Sequence, residues 1–386
     1  MSESSNKSQT SSSSSQKATV ATLSLFEKLD TIPVLLTVVG NVITSLFTAS
    51  YRGKDRKPSA GLYNYVMLTA IRTLTRRASV RQQLYLNPPT DDNYITACKK
   101  RGVQPNSIIL EDGTRANWIG DPSAEKVIIN FHGGGYVLPA SPEMCEFMFQ
   151  IISVLKSKGK NVSCLFLSYD LAPSRVYPRQ LQQAAMLLNH VLHTLHIPPS
   201  NIIITGDSAG GNLAVGLLSH ISHPHPGAHG VEVPKVDLGE EKLKGMVLIS
   251  PWVSFDMDSE SWKRNEYKDC ICRGAAEQWS SAFLNHAQPL APVSDYYNQA
   301  VTAPESWWED AAVESVLIVA GKEEVLVDGI TKFAGKFSRG LGAGNVEFRA
   351  LDGYHVQPSI DLQMGYKESQ EGEQAKTIKS WIASKL

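Results

Sequence analysis

The stretch Asn201-Ile202-Ile203-Ile204-Thr205-Gly206-Asp207-Ser208-Ala209-Gly210-Gly211 decides how this chain is read. Its first half is a β-branched apolar run of the kind a buried strand carries. Its second half matches G-x-S-x-G, and residues 209–221 go on in a helical pattern. A sharp strand-to-helix turn needs small residues on both sides of the serine, so that the backbone can bend and lift the hydroxyl clear of the sheet. Five such characters occur often by chance; their place between strand and helix makes Ser208 a candidate nucleophile rather than an ordinary turn residue.

Upstream, the apolar run Lys126 to Phe131 leads directly into His132-Gly133-Gly134-Gly135. Glycines after a buried strand leave N–H groups unshielded by side chains, and such groups can hold a developing oxyanion. Gly133, Gly134 and Ala209, the residue after the serine, are the expected donors, with His132, Gly135 and Asp207 completing the two motifs. The Lys-Ser/Thr of a phosphate loop and the G-x-G-x-x-G of a dinucleotide fold are both missing, so neither nucleotide reading gains support. Downstream, a serine nucleophile needs an acid and then a histidine in that chain order. The run Ser315 to Val319 ends in Gly321-Lys322-Glu323-Glu324, which offers the acid, and of the ten histidines only His355 lies beyond it. His355 follows the run Val346 to Leu351, so both partners fall at the same sheet edge as Ser208.

Further short apolar runs at Val162 to Ser168 and Gly245 to Ile249, and a hairpin of Ser107 to Leu110 and Thr114 to Trp118 around Asp112-Gly113, alternate with helical patterns at about 142–158, 178–195, 209–221, 328–340 and 368–383. That alternation predicts an α/β fold with a mostly parallel sheet and crossover helices. The division expected is a disordered tail over 1–20, where serines dominate, a helical segment over 21–104, and a catalytic domain over 105–386. Residues 252–312 lack any strand pattern and read as an insertion above the sheet.

Lys plus Arg is 37 and Asp plus Glu is 38, so no positive field exists to collect nucleic acid. Five cysteines, an odd and sparse count, suit a reducing compartment rather than a disulfide-stapled domain. No metal site is expected: Cys270 and Cys272 have no second pair, and His223, His225 and His229 lie among Pro and Gly as a solvated loop would. Ile32 to Ala49 is long and uncharged, which raises a membrane span. Against it, Ile32, Leu35, Leu36, Val39, Ile43, Leu46 and Phe47 share one helix face, while Thr37, Asn41, Thr44 and Thr48 share the other. This predicts a cap helix with its apolar face over the active site and its threonine face in water. The basic flank Arg52, Lys54, Arg56 and Lys57 keeps membrane contact through 32–49 open. Ser384-Lys385-Leu386 matches the peroxisomal address read by an import receptor, and chain termini are commonly free. A peroxisomal location is therefore expected, with the cytoplasm or the endoplasmic-reticulum membrane surface as alternatives.

Together these residues resemble the hormone-sensitive-lipase-like branch of the α/β-hydrolases, with its microbial esterases, arylacetamide deacetylase-like enzymes and fungal steryl-acetate hydrolase-like proteins. Tyr169-Asp170-Leu171-Ala172-Pro173, Ser250-Pro251-Trp252 and Glu324-x-Leu326-x-Asp328 add to the match, which covers roughly 105–385. The resemblance implies an α/β-hydrolase fold with a helical cap and points to Glu324 as the acid, where the family usually has Asp. It implies a cofactor-free serine carboxylester hydrolase for an ester of an apolar small molecule, in secondary metabolism. A peroxisomal acyl-CoA or other thioester hydrolase or acyltransferase is one alternative, and a non-catalytic ligand-binding or membrane-docked protein another.

Overall fold

Eight segments are extended: β1 (Ser107–Ile109), β2 (Arg115–Ile119), β3 (Lys126–Phe131), β4 (Val162–Ser168), β5 (Ile202–Asp207), β6 (Gly245–Ile249), β7 (Val316–Gly321) and β8 (Val346–Leu351). In this computed structural model, which describes residues 22–52, 61–285 and 295–386, they form one sheet in the order β1-β2-β4-β3-β5-β6-β7-β8. The expected tail over 1–20 and the basic residues Lys54, Arg56 and Lys57 lie outside the described residues. β1 and β2 pair antiparallel, β2 meets β4 antiparallel, and all later pairings are parallel. Strands β3 to β7 are buried almost throughout, which is why they read as continuous apolar runs.

The helices are α1 (Leu25–Arg52), α2 (Leu62–Arg77), α3 (Val80–Leu86), α4 (Thr90–Arg101), α5 (Pro142–Ser157), α6 (Arg179–His193), α7 (Ala209–Ser222), α8 (Glu260–Asn265), α9 (Arg273–Leu284), α10 (Val327–Leu341), α11 (Gln357–Gln363) and α12 (Glu373–Lys385). From β3 the chain crosses to β4 in one direction, and from β4 it crosses back past β3 to β5. Right-handed crossovers running in opposite directions put α5 and α6 on opposite faces. The reversal leaves a crevice at the carboxyl ends of β3 and β5, where an open α/β sheet places its ligand. A buried bond from Thr205 Oγ1 to Asn130 Oδ1 (2.7 Å) pins the two strands in register just below it.

The piece 252–312, without a strand among its described residues, holds α8 and α9. Its Trp308 packs edge-on against Phe337 (4.9 Å between centroids) beneath α10, and its Trp279 indole donates to Gln83 Oε1 of α3 at 2.9 Å. The same tie recurs from α2, where Arg72 Nη1 donates to the carbonyl of Asp269 at 2.6 Å. α2 and α3 thus join α9 over the sheet edge.

α1 departs from the expected cap helix. Leu36 is 65% and Phe47 79% exposed, and Ile32, Leu35, Val39, Ile43 and Leu46 of the same stripe are exposed as well. The helix lies on α2 by its opposite side: Val34 and Ser45 are buried, and Asn41 Nδ2 donates to Thr73 Oγ1. The reason is that hydroxyl residues in a helix need no water. Thr37, Thr44, Ser45 and Thr48 donate to the carbonyls of Pro33, Gly40, Val42 and Thr44. Val34 and Ser45 can then face α2 between these self-satisfied hydroxyls, and the bulky stripe is left outside.

The terminal tripeptide is also not free. Ser384 and Lys385 close α12, Leu386 is buried, and its main-chain oxygen accepts a bond from Lys126 Nζ.

Candidate active site

Ser208 stands between the last residue of β5 and the first of α7, with φ 53° and ψ −116°, a strained backbone for any residue but glycine. The turn closes only because its neighbours lack side chains. A Cβ on Gly206 would lie 2.2 Å from the Gly210 carbonyl oxygen, and one on Gly210 would lie 2.0 Å from that of Phe131. The Ser208 hydroxyl meets His355 Nε2 at 2.8 Å. Both residues are buried, and so is Glu324, which is 0% exposed.

Glu324 is the carboxylate that faces the imidazole, with Oε2 3.6 Å from His355 Nδ1. Glu323, the other residue the spacing allowed, is half-buried and gives its main-chain N–H to the Gly353 carbonyl. A separation of 3.6 Å exceeds a hydrogen bond. Glu324 Oε1 and His355 Nδ1 are both buried without a hydrogen-bond partner among the described residues. Catalytic contacts of this kind tighten when substrate binds. Ser250 aims the carboxylate: its hydroxyl donates to Glu324 Oε2 (2.5 Å) and accepts from the Val356 N–H (3.2 Å). Burial by itself lowers the pKa of His355, but Glu324, Asp269 and Asp207 surround it with negative charge and hold it above its usual value.

The glycine loop differs from expectation at one position. The Gly133 N–H donates to Asp207 Oδ1 at 3.0 Å and is therefore occupied. The N–H groups of Gly134 and Gly135 meet no acceptor among the described residues, and that of Ala209 opens α7, where helix N–H groups have no partner in their own helix. Gly133 is thus not free for the role expected of it, and the loop's open N–H groups are those of Gly134 and Gly135. Gly135 cannot accept a side chain, since a Cβ there would lie 2.5 Å from the Trp279 ring. His132 holds the loop from below. Its Nδ1 bonds the Gly133 carbonyl (2.7 Å), its ring stacks on Tyr169 at 4.2 Å, and burial lowers its pKa to about 4, so it is a neutral structural residue. Asp207 is pushed up to about 6 by burial.

Of the loop expected to be solvated, His223 and His225 instead pack in an aromatic cluster with Tyr177, Tyr297 and Trp307, while His229 is exposed as expected. His225 is buried with Nε2 2.9 Å from the Tyr177 hydroxyl, and its own N–H donates to His220 Nδ1; His223 stacks on Trp307 at 3.7 Å. Burial lowers the pKa of His220 and His225. Among the described residues no three His, Cys, Asp or Glu side chains converge to hold a metal ion.

Two contributors had no assigned role in the sequence. Ser250 stood in a recognisable motif, and its φ of 47° shows why it does not read as a strand residue. Asp269 lies in the patternless insertion, where nothing marks it.

A family profile described as the alpha/beta hydrolase fold matches residues 128–354. Steryl acetyl hydrolase 1 of Saccharomyces cerevisiae is 23% identical over 253 residues, covering 62% of this chain and 56% of the yeast protein. Human arylacetamide deacetylase-like 2 is 25% identical over 52% of this chain and 47% of its own length. The matches thus span about half of these relatives. Among solved structures, an esterase from the bacterial hormone-sensitive lipase family superposes with a TM-score of 0.55 at 20% identity, covering 91% of this chain and 96% of that one.

Proposed function

Since the chain belongs to the alpha/beta hydrolase fold family, we propose that it hydrolyses a carboxylic ester through an acyl-enzyme on Ser208. The observation that carries this is the 2.8 Å contact between Ser208 Oγ and His355 Nε2 beside the open N–H groups of Gly134, Gly135 and Ala209. For Nε2 to accept the hydroxyl proton, neutral His355 must keep its hydrogen on Nδ1, the tautomer that the Glu324 carboxylate favours. As Oγ attacks, the proton passes to Nε2 and negative charge collects on the carbonyl oxygen, where the three N–H groups receive it. Collapse expels the alcohol with the proton from Nε2. Water then repeats the sequence against the acyl-enzyme, with His355 again the base. The names of the relatives support an acetyl ester of an apolar alcohol as the substrate class.

The test is a fluorophosphonate probe on the full chain. A mass shift on Ser208, lost in Ser208→Ala, is expected, together with turnover of p-nitrophenyl acetate; no labelling would turn the reading to a ligand-binding protein. Faster turnover of acetyl-CoA than of acetate esters would move the substrate to thioesters.

A second reading concerns location. The exposed stripe of α1 supports membrane contact: Leu25–Thr48 is 24 residues, about 36 Å of helix against a hydrocarbon layer of about 30 Å. The full chain should stay with membranes after alkaline carbonate extraction. Release into the supernatant, with a tagged chain collecting in peroxisomes only while Leu386 is present, would support the peroxisomal alternative.

A further inference from the structure

The insertion sends one more carboxylate to the triad. Asp269 is fully buried; its Oδ2 accepts the Val325 N–H (2.8 Å), and its Oδ1 accepts the N–H of His355 (3.1 Å) and of Cys270 (2.8 Å). Val325 is the residue after the acid, and His355 is the base. One side chain therefore takes the main chain of both partners, from the segment between α8 and α9. The same segment, with the last residue of α8 before it, holds the acid loop again through Asn265, whose Nδ2 donates to the carbonyls of Lys322 and Glu324. It is itself tied to α2, since Arg72 donates both to the Asp269 carbonyl and to Thr69 Oγ1.

Geometry makes a carboxylate necessary here. Three N–H donors converge on two oxygens, and an amide in the same place would turn a donor of its own toward one of them. The charge matters as well. Glu324, Asp269 and Asp207 are the negative groups around the His355 imidazole, and Arg72 is the buried cation on the far side of Asp269. Burial pushes Asp269 up to about 6, and the facing His355 opposes that rise.

We propose that Asp269 is a positioning residue of the triad: it fixes the spacing of Glu324 and His355 through their main chains and adds negative charge beside the imidazolium that forms during turnover. The proposal rests on the serine-hydrolase reading above. Failure of Ser208 in the wild-type chain to take a fluorophosphonate would remove that reading before any Asp269 variant is made.

The experiment compares full-length Asp269→Asn and Asp269→Glu with wild type on p-nitrophenyl acetate across pH. In Asp269→Asn, kcat should fall by up to about 100-fold with KM within about two-fold, because the reacting groups are misplaced while the substrate pocket is untouched. Its acid limb of kcat/KM should also move to lower pH, since His355 loses a charge that favours its protonated form. Asp269→Glu should lower kcat and leave that limb near its wild-type position. Wild-type kcat in Asp269→Asn, or a fall in kcat with an unmoved limb, overturns the proposal. Failure of both variants to fold would also overturn it, reducing Asp269 to a folding requirement.

Discussion

α10 and α1 are written with the same kind of apolar stripe and end in opposite surroundings. In α10, Ile330, Phe333, Phe337 and Leu341 recur at helical spacing and are buried against the sheet edge and Trp308. In α1 the stripe from Ile32 to Phe47 points away from the protein. What separates them is the other face. α10 carries Lys332, Lys336 and Arg339 there, and charges must keep water or a partner, so the apolar side has only the protein to face. The other face of α1 carries hydroxyls and an amide that bond their own helix or α2. A stripe tells which residues share a side; the chemistry of the opposite side tells which way that side is turned.

α10 also starts three residues after the acid, whereas α1 packs on α2 and α3, so substitutions should separate the two. The largest effect belongs at the root of α10. Glu324→Gln should lower kcat about 10³- to 10⁴-fold in the p-nitrophenyl acetate assay, and Glu323→Gln by less than about two-fold. Equal losses would detach the acid from the geometry described here. Next comes the covered stripe: Phe333→Ala should cost about 3–5 kcal/mol in denaturant unfolding, with activity lost alongside structure.

The third effect is on pH. His355 must be neutral to act, and its raised pKa moves that requirement upward. kcat/KM should fall about ten-fold per unit below an acid limb centred above about 6.5. The stability due to this histidine runs the other way, being fully present below its unfolded value and lost as pH rises through the raised folded one. An acid limb at or below an ordinary histidine would contradict the carboxylate ring. The smallest effect belongs to α1: Leu36→Ser with Phe47→Ser should change unfolding free energy by no more than about 0.5 kcal/mol and leave kcat on a soluble ester unchanged. Vesicle flotation should drop in the same variant. A large loss of stability would mean that the stripe is covered after all.

Most of the sheet was legible, and for a physical reason. β3, β4 and β6 begin and end where their apolar runs do, because a strand between other strands has to pair along its whole length, and the edge strand β8 keeps its expected bounds by alternating Val346, Phe348 and Ala350 with polar residues. The insertion was not. α8 is only six residues long, and α9 buries Ala275, Ala276, Trp279 and Phe283 under a pattern too brief to stand out. At the site, Ser208 and His355 followed from chain order, because a nucleophile needs its base downstream. Spacing alone left Glu323 and Glu324 equal; their difference is burial, a tertiary fact. The engagement of Gly133 by Asp207 was likewise hidden, since a glycine run says that N–H groups are bare and not where each one points.

The bond from Gly133 to Asp207 has a mechanical consequence. It joins the residue before the nucleophile to the loop that carries the anion donors, across neighbouring strands already locked by Thr205 and Asn130. The gap in which a tetrahedral centre must fit is therefore a gauge length set by the sheet.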